Sequence, residues 1–324
     1  MRQLVTGGAG FIGSNYVRHV LRTSDDEVTV YDALTYAGNL STLHDVGDDP
    51  RVRFVKGDIC DLGTLREVMA AHQVVVHFAA ETHVDRSIGG SHDFVQTNCV
   101  GTNYVMEAAR RVGVEKVVHI GTDEVYGSVA EGSSIESDAL DPRSPYSASK
   151  AGSDLIALSH HATHGLPVVV TRCTNNFGPY QFPEKLIPLF TTNLLDGGTV
   201  PLYGDGLNER DWLYVEDHCA GLTLVVDQGV PGEIYNVGAG NETPNRLLTE
   251  KLLALTGRDG SAIRYVEDRP GHDRRYSVEV SKVSALGWRR RRSLDEALEE
   301  TVRWYRDNRW WWEPLKSGSG AADG

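Results

Sequence analysis

The sequence predicts an α/β fold: a doubly wound parallel sheet followed by a smaller C-terminal α/β lobe. Three observations carry that prediction. A glycine-rich turn, Gly7-Gly8-Ala9-Gly10-Phe11-Ile12-Gly13, joins a short apolar stretch to a helical pattern. Apolar strand-like runs then alternate with amphipathic helical runs as far as residue 171. An acid, Asp32, closes the second strand nineteen residues beyond Gly13.

Residues 3–6 form the first strand, and Val17, Val20 and Leu21 mark the helix that follows. Glycines at 7, 10 and 13 permit a tight turn, close approach of a pyrophosphate to backbone, and helix-on-strand packing. The first-turn amides, with Phe11 and Ile12 between the glycines, are then free to hold phosphate. Residues 27–31 form the next strand and end at Asp32, whose carboxylate can accept from both ribose hydroxyls and repels a 2′-phosphate. This combination, the Rossmann arrangement, favours NAD over NADP. A third strand at 52–55 leads to Asp58 and Ile59, where a carboxylate is placed to meet an adenine amino group. Residues 74–78 read as a buried strand whose end, Ala79-Ala80, is small enough to let a dinucleotide lie across it. Helix 94–111, strand 116–121, helix 145–164 and strand 168–171 complete the alternation.

Beyond residue 172 the pattern loosens. Residues 177–185 are rich in Pro, Gly and aromatics, and strand order returns around 212–215 and 234–237. The expected division is a dinucleotide-binding domain, 1–172 with returning segments at about 209–237, and a substrate lobe made of 173–208 and 238–316. The small, polar tail 317–324 reads as a disordered end. No internal repeat is visible.

At 324 residues the chain can bury a core large enough for two lobes. With 32 basic against 45 acidic residues its net charge is −13, and it has no aromatic-interleaved basic patch, which argues against nucleic acid as a partner. The one basic run, Arg289 to Arg292, precedes a C-terminal helix and reads as a solvated helix start. Cys60, Cys99, Cys173 and Cys219 show no metal-binding spacing and no HExxH is present, so no metal is expected. No signal peptide is recognisable, and the apolar run 74–80 is far too short to span a bilayer. The expectation is a soluble, cytoplasmic protein with reduced cysteines.

The chemistry concentrates at Thr122-Asp123-Glu124 and at Tyr146-Ser-Ala-Ser-Lys150. A Tyr and a Lys four apart share a helix face, so the ammonium can depress the phenol's pKa from ~10 toward a useful base. A lone Y-x3-K is more often a surface pair, and a lone acid more often solvated. Behind a hydroxyl-bearing strand end in a nucleotide-binding sheet, both become reactive groups. Two acid/base systems beside one nicotinamide point to an oxidation coupled to an elimination.

These residues resemble the extended short-chain dehydrogenase/reductases that act on nucleotide sugars. Within them LTYAGN (34–39), HFAAETHVDRS (77–87), TDEVYG (122–127), SPYSASKA (144–151), NNFGPYQFPEKLIP (175–188), RDWLYVEDH (210–218) and RPGHDRRY (269–276) are similar to the dTDP-glucose 4,6-dehydratases, over residues 1 to about 316. The resemblance implies a hydro-lyase of deoxysugar biosynthesis that converts dTDP-glucose to dTDP-4-keto-6-deoxyglucose. Tyr146 would deprotonate the C4 hydroxyl as hydride passes to NAD, with Lys150 holding phenolate and nicotinamide ribose and Thr122 donating to the C4 oxygen. Glu124 would remove the C5 proton and protonated Asp123 would protonate the leaving C6 hydroxyl. Hydride then returns to C6, so NAD is regenerated and tightly retained. Further cofactor contacts are implied at Thr35, Gly38 and Thr97. Substrate contacts are implied at Ser87, Asn175, Lys185, Leu186, Pro201, Tyr203, Arg210, Asn245, Arg269 and His272. Arg210 and Arg269 suit bidentate phosphate pairing and Tyr203 can stack on a pyrimidine. Family members pair through two helices of the nucleotide-binding lobe, which makes 94–111 and 146–164 the candidate surfaces of a homodimer.

Two neighbouring activities share most of these motifs. A nucleotide-sugar 4-epimerase needs the same Tyr, Lys and NAD but has no use for Asp123-Glu124. A UDP-glucose 4,6-dehydratase can share every catalytic motif, because uracil and thymine differ by one methyl, a difference of only ~1–3 kcal/mol in a pocket. A redox sensor that merely binds NAD would be expected to lose Tyr146 or Lys150, and both are present. Which pathway the product feeds is not written in these residues.

Overall fold

The computed structural model describes residues 1–319. Strand β1 (Arg2–Thr6) enters the glycine turn and helix α1 (Phe11–Thr23), followed by β2 (Glu27–Asp32), β3 (Val52–Lys56), α2 (Leu62–Met69) and β4 (Val74–His77). Next come α3 (Val84–Gly89), α4 (His92–Phe94), a π-helical stretch over 95–101, α5 (Thr102–Val112), β5 (Lys116–Thr122), α6 (Pro145–His164) and β6 (Val168–Cys173). The remainder comprises β7 (Asn175–Phe177), α7 (Leu186–Leu195), β8 (Val200–Tyr203), β9 (Glu209–Arg210), β10 (Trp212–Tyr214), α8 (Val215–Gln228) and β11 (Ile234–Val237). It continues through β12 (Thr243–Pro244), α9 (Asn245–Thr256), β13 (Ile263–Val266), α10 (Ser281–Ala285), α11 (Leu294–Asp307) and α12 (Arg309–Ser319).

Seven strands form one sheet in the order β11-β6-β5-β4-β1-β2-β3, every neighbouring pair parallel. The central strands β4 and β6 open on runs of three valines because both sheet faces are covered. Alternate residues divide between the two sides. Val5, Val28, Val76 and Val118 join the core under α1 and α8. Leu4, Val75, Val117 and Val170 join the one under α2, α5 and α6. Strand order reverses at β1, between β4 and β2, which is where a doubly wound sheet opens a crevice at its carboxyl edge.

A separate core, built on Phe177, Ile187, Phe190, Leu248, Leu252 and Val302, packs α7, α9 and α11 together. Three two-stranded ribbons, β10-β7, β12-β9 and β13-β8, complete this half. Of residues 212–215, read as strand order returning, 212–214 pair with β7 in a ribbon rather than entering the large sheet and Val215 opens α8, whereas β11 does add to the sheet's edge through β6.

The helix expected at 94–111 is interrupted by the π turn over 95–101. Its Asn98 accepts from Glu81 N (2.9 Å) and donates to Glu81 O (3.0 Å) and Ser149 Oγ (2.9 Å). The amide thereby ties the end of β4 to α6, a typical setting for a π turn beside a site. Residues 317–319 continue α12, and the expected disordered end at 320–324 lies outside the described residues. Among the described residues no helix is long and apolar enough to cross a membrane.

Candidate active site

A cleft of about 460 Å³ runs along the carboxyl edge of the sheet and under the second core. Its inner end is the glycine turn. Gly7 has φ +69°, and a Cβ there would stand 2.6 Å from Ala79 N; one on Gly13 would stand 2.4 Å from Gly7 O. Only hydrogen fits at either position, so the turn can press against β4 and leave the α1 amides facing the cleft. Asp32 is buried at the tip of β2. Its two oxygens accept from Ala9 N (2.9 Å) and Leu34 N (2.8 Å), and burial raises its pKa against those bonds. The carboxylate thus fixes both loops of the cradle and keeps further lone pairs for a diol. With Thr35, Gly38, Asp58, Ile59, Ala79, Ala80 and Thr97 lining the same channel, the residues fit an extended dinucleotide.

The reactive groups meet at the end of β5. Thr122 is its last residue and caps the 3-10 turn over Asp123–Tyr126, its hydroxyl accepting from Glu124 N (3.3 Å). α6 opens with Pro145 after a reciprocal Ser144–Ser147 capping box, which places Tyr146 and Lys150 on its inward face. Lys150 Nζ donates to Ile120 O at 2.7 Å.

Asp123 and Glu124 are adjacent but unequal. Burial first, then Glu124 and Asp211, push the Asp123 carboxyl well above the usual range. One of its oxygens receives the Thr122 hydroxyl (3.3 Å), while Oδ2 is buried with no hydrogen-bond partner. Burial raises Glu124 too, but Lys185, Arg269 and Arg210 pull it back. Two carboxyls driven apart in this way suit an acid and a base.

Ordinary stability bears on this assignment. A carboxyl whose folded pKa is raised contributes stability that is complete below the unfolded value of ~3.9 and lost as pH climbs toward the folded value. Asp123→Asn is therefore expected to match the parent's thermal midpoint near pH 4 and to exceed it by about 2 °C or more at pH 8. Thermal unfolding across that range checks it; a pH-independent difference contradicts it.

Tyr146 departs from the sequence expectation. Burial, then the Glu124 carboxylate, pushes its phenol well above the ordinary value, and the Thr122 hydroxyl offsets only part of this. Lys150 is itself pushed down by burial and spends a proton on the Ile120 carbonyl. In this state Tyr146 is a neutral phenol.

At the outer end three cations converge. Lys185 donates to Thr82 O at 2.6 Å. Arg210 donates to Asp273 O (2.9 Å) and Glu209 O (2.7 Å), and lies 4.3 Å over the Tyr276 ring. Arg269 pairs with Asp85 at 3.3 Å. An acidic chain has gathered its cations where a diphosphate would lie. Tyr203 stands edge-on to His272, ring centroids 6.2 Å apart, and His272 Nδ1 meets Asp268 at 2.6 Å. Asn175, Asn245, Leu186 and Pro201 line the same end, with Asn175 Oδ1 and Asn245 Oδ1 buried and unpartnered.

Of the residues singled out in the sequence, Ser87 alone does not line the cleft. It sits behind Tyr146, accepting from Tyr146 N at 3.2 Å and donating to Val84 O at 2.6 Å. Sequence reasoning passed over Tyr36, Glu184 and Arg86. Tyr36 OH donates to Glu184 Oε1 (3.1 Å) under the Arg86 guanidinium (3.9 Å), strapping the 33–39 loop to the 182–185 loop. Their motifs, LTYAGN, HFAAETHVDRS and FPEK, were in view, but spacing does not show that they meet. Among the described residues no group of three or more His, Cys, Asp or Glu is placed to hold a metal ion.

Comparison with known proteins places this geometry. The family model described as GDP-mannose 4,6 dehydratase matches residues 4–301. The dTDP-glucose 4,6-dehydratase of Streptomyces niveus is 55% identical over 323 residues, covering 98% of this chain and 96% of the relative. That of Streptomyces antibioticus is 57% identical with the same coverage. Among solved structures, DesIV, a dTDP-glucose 4,6-dehydratase from Streptomyces venezuelae with NAD bound, superposes with a TM-score of 0.96. It is 56% identical and covers 97% of this chain and 100% of its own.

Proposed function

The chain belongs to the dTDP-glucose 4,6-dehydratases, and from that premise we propose that it dehydrates dTDP-glucose to dTDP-4-keto-6-deoxyglucose with NAD as cofactor. It is a hydro-lyase of deoxysugar biosynthesis. The observation that carries the reading is the pairing at one strand end of an acid/base pair suited to alcohol oxidation, Tyr146 and Lys150, with two carboxyls of divergent proton affinity, Asp123 and Glu124. An epimerase would leave the second pair idle.

Bound NAD supplies the hydride acceptor for C4 and the donor for C6, returning to its starting state each turnover. The α1 amides, Asp32, Asp58, Ala79 and Ala80 would hold it. Tyr146 first releases its own proton to solvent, and the phenolate, stabilised by the Lys150 ammonium, accepts the C4 hydroxyl proton while Thr122 donates to the oxygen as it becomes a ketone. The ketone acidifies C5; Glu124 takes that proton, and Asp123, kept protonated by burial, delivers its own to the departing C6 hydroxyl. Glu124 then returns its proton to C5. Lys185, Arg210 and Arg269 neutralise the diphosphate, and Tyr203 and His272 flank the base.

The division into a dinucleotide-binding domain (1–172 with about 209–237) and a substrate lobe (173–208 and 238–316) belongs to the same proposal, as does a homodimer through 94–111 and α6. Val95 and Leu155, large apolar side chains 49% and 58% exposed on these helices, support that pairing. A cytoplasmic location fits four free cysteines. The test is incubation of the purified protein with dTDP-glucose and no added cofactor. A product lighter by one water supports the assignment; unchanged substrate, or an isomer of the same mass, opposes it.

A further inference from the structure

α6 carries a third charged group on its inward face. Asp154 lies one turn past Lys150, so the two side chains lean over neighbouring residues of β5. Lys150 Nζ bonds Ile120 O at 2.7 Å. The Asp154 carboxylate lies against Gly121, where a Cβ would stand 2.9 Å from Oδ1. Both side chains are buried. Arg172 on β6 donates to Asp154 Oδ2 at 2.9 Å, its guanidinium 4.8 Å over the Tyr126 ring. His119 on β5 approaches Oδ1 at 3.3 Å and bonds Ser153 Oγ at 3.0 Å, yet Oδ1 itself accepts no hydrogen bond. One buried carboxylate thus stands between two buried cations. Well-packed apolar groups often stabilise a core as much as such a pair, so stability is a weak reason for charges here.

We propose that Asp154 is a positioning residue for the oxidation step: its buried carboxylate keeps Lys150 an ammonium, held against the end of β5 one helical turn from Tyr146. Burial is the largest influence on Lys150 and pushes it toward the neutral amine; Asp154 is the largest that opposes it. The other titratable groups facing Lys150 give little help. His77 on β4 and His119 are held neutral by burial. Cys99 in the π turn and Cys173 on β6 are pushed up and stay thiols. Past β5, Asp123 and Glu124 act on Tyr146 and Cys173, while Arg172 beyond Asp154 opposes a second cation. Lys150 and Arg172 together outnumber the one carboxylate, and the surplus positive charge is balanced when Tyr146 releases its proton. That supplies the phenolate stabilisation Lys150 cannot give if it is neutral.

This role rests on the Tyr146–Lys150 oxidation above. The experiment is single-turnover formation of reduced nicotinamide from dTDP-glucose against pH, alongside thermal midpoints, for the parent, Asp154→Asn and Ser153→Ala. Asn keeps the Arg172 hydrogen bond but not the charge; Ser153→Ala removes a neighbouring buried hydrogen bond and no charge. The alkaline limb of the Asp154→Asn profile is expected about one pH unit or more below the parent's. Ser153→Ala is expected to lower the midpoint and leave the limb in place. An Asp154→Asn limb unmoved, or moved no further than in Ser153→Ala, overturns the role alone. A parent that forms no reduced nicotinamide overturns the reaction assignment and this role with it. If Asp154→Asn does not fold, Asp154→Glu, which retains the charge, replaces it: a limb at the parent position supports the proposal and one shifted down by a unit overturns it.

Discussion

Tyr146→Phe is expected to leave a folded protein that still binds dinucleotide and nucleotide sugar, but to lower turnover about 10²–10⁴-fold. Reduced nicotinamide should not accumulate at any stage. The phenol is the group placed to take the C4 hydroxyl proton, and every later step depends on the ketone formed there. In the structure it is a neutral phenol, pushed up by burial first and then by Glu124, so its own proton has to leave before its oxygen can act as the base. Phe keeps the ring that packs edge-on to Phe94, centroids 6.4 Å apart, which separates chemistry from folding. Rapid-mixing absorbance of the nicotinamide checks this. Reduced cofactor forming at the parent's rate would remove Tyr146 from the first step.

Glu124→Gln should fail later and differently. Oxidation at C4 has no need of Glu124, so reduced nicotinamide should appear and persist, because the C5 proton stays in place and no enone forms to take the hydride back. Overall dehydration should fall about 10²–10⁴-fold. Loss of the carboxylate also removes a charge that raises the Tyr146 phenol, so the oxidation limb should move to lower pH. The same transient trace reads both effects. A variant that never shows reduced cofactor would mean that Glu124 acts before, not after, the ketone. The two substitutions together divide the reaction between the strand end and the helix.

Much of this architecture was legible because local rules and the global fold agree. The unbroken valines of β4 and β6 announced a doubly covered sheet, and the turn at 7–13 announced both the first crossover and the cradle. Thr122, Asp123, Glu124, Tyr146 and Lys150 were identified from type and order alone, and the structure brings them to one cleft. What spacing could not reveal was partnership. Asp32 reads as a ribose ligand, yet it also binds Ala9 N and Leu34 N to build the cradle. A Tyr-x3-Lys helix predicts a depressed phenol, but burial and then Glu124, from the turn after β5, push it up instead. Ser87 looked like a cleft residue and instead supports the Tyr146 backbone. Asp154 carries no signal in the sequence; only the packing of β5 and β6 brings Arg172 and His119 to it. Long-range desolvation has no period to read.

The central claim is that one chain oxidises C4, eliminates water across C5 and C6, and reduces C6 within a single turnover. dTDP-glucose deuterated at C4, given to the purified protein without added cofactor and followed by mass spectrometry and NMR, tests that sequence of events directly. The account predicts a product lighter by one water with deuterium on C6. Deuterium returned to C4 with inverted configuration, or lost to solvent, would contradict it.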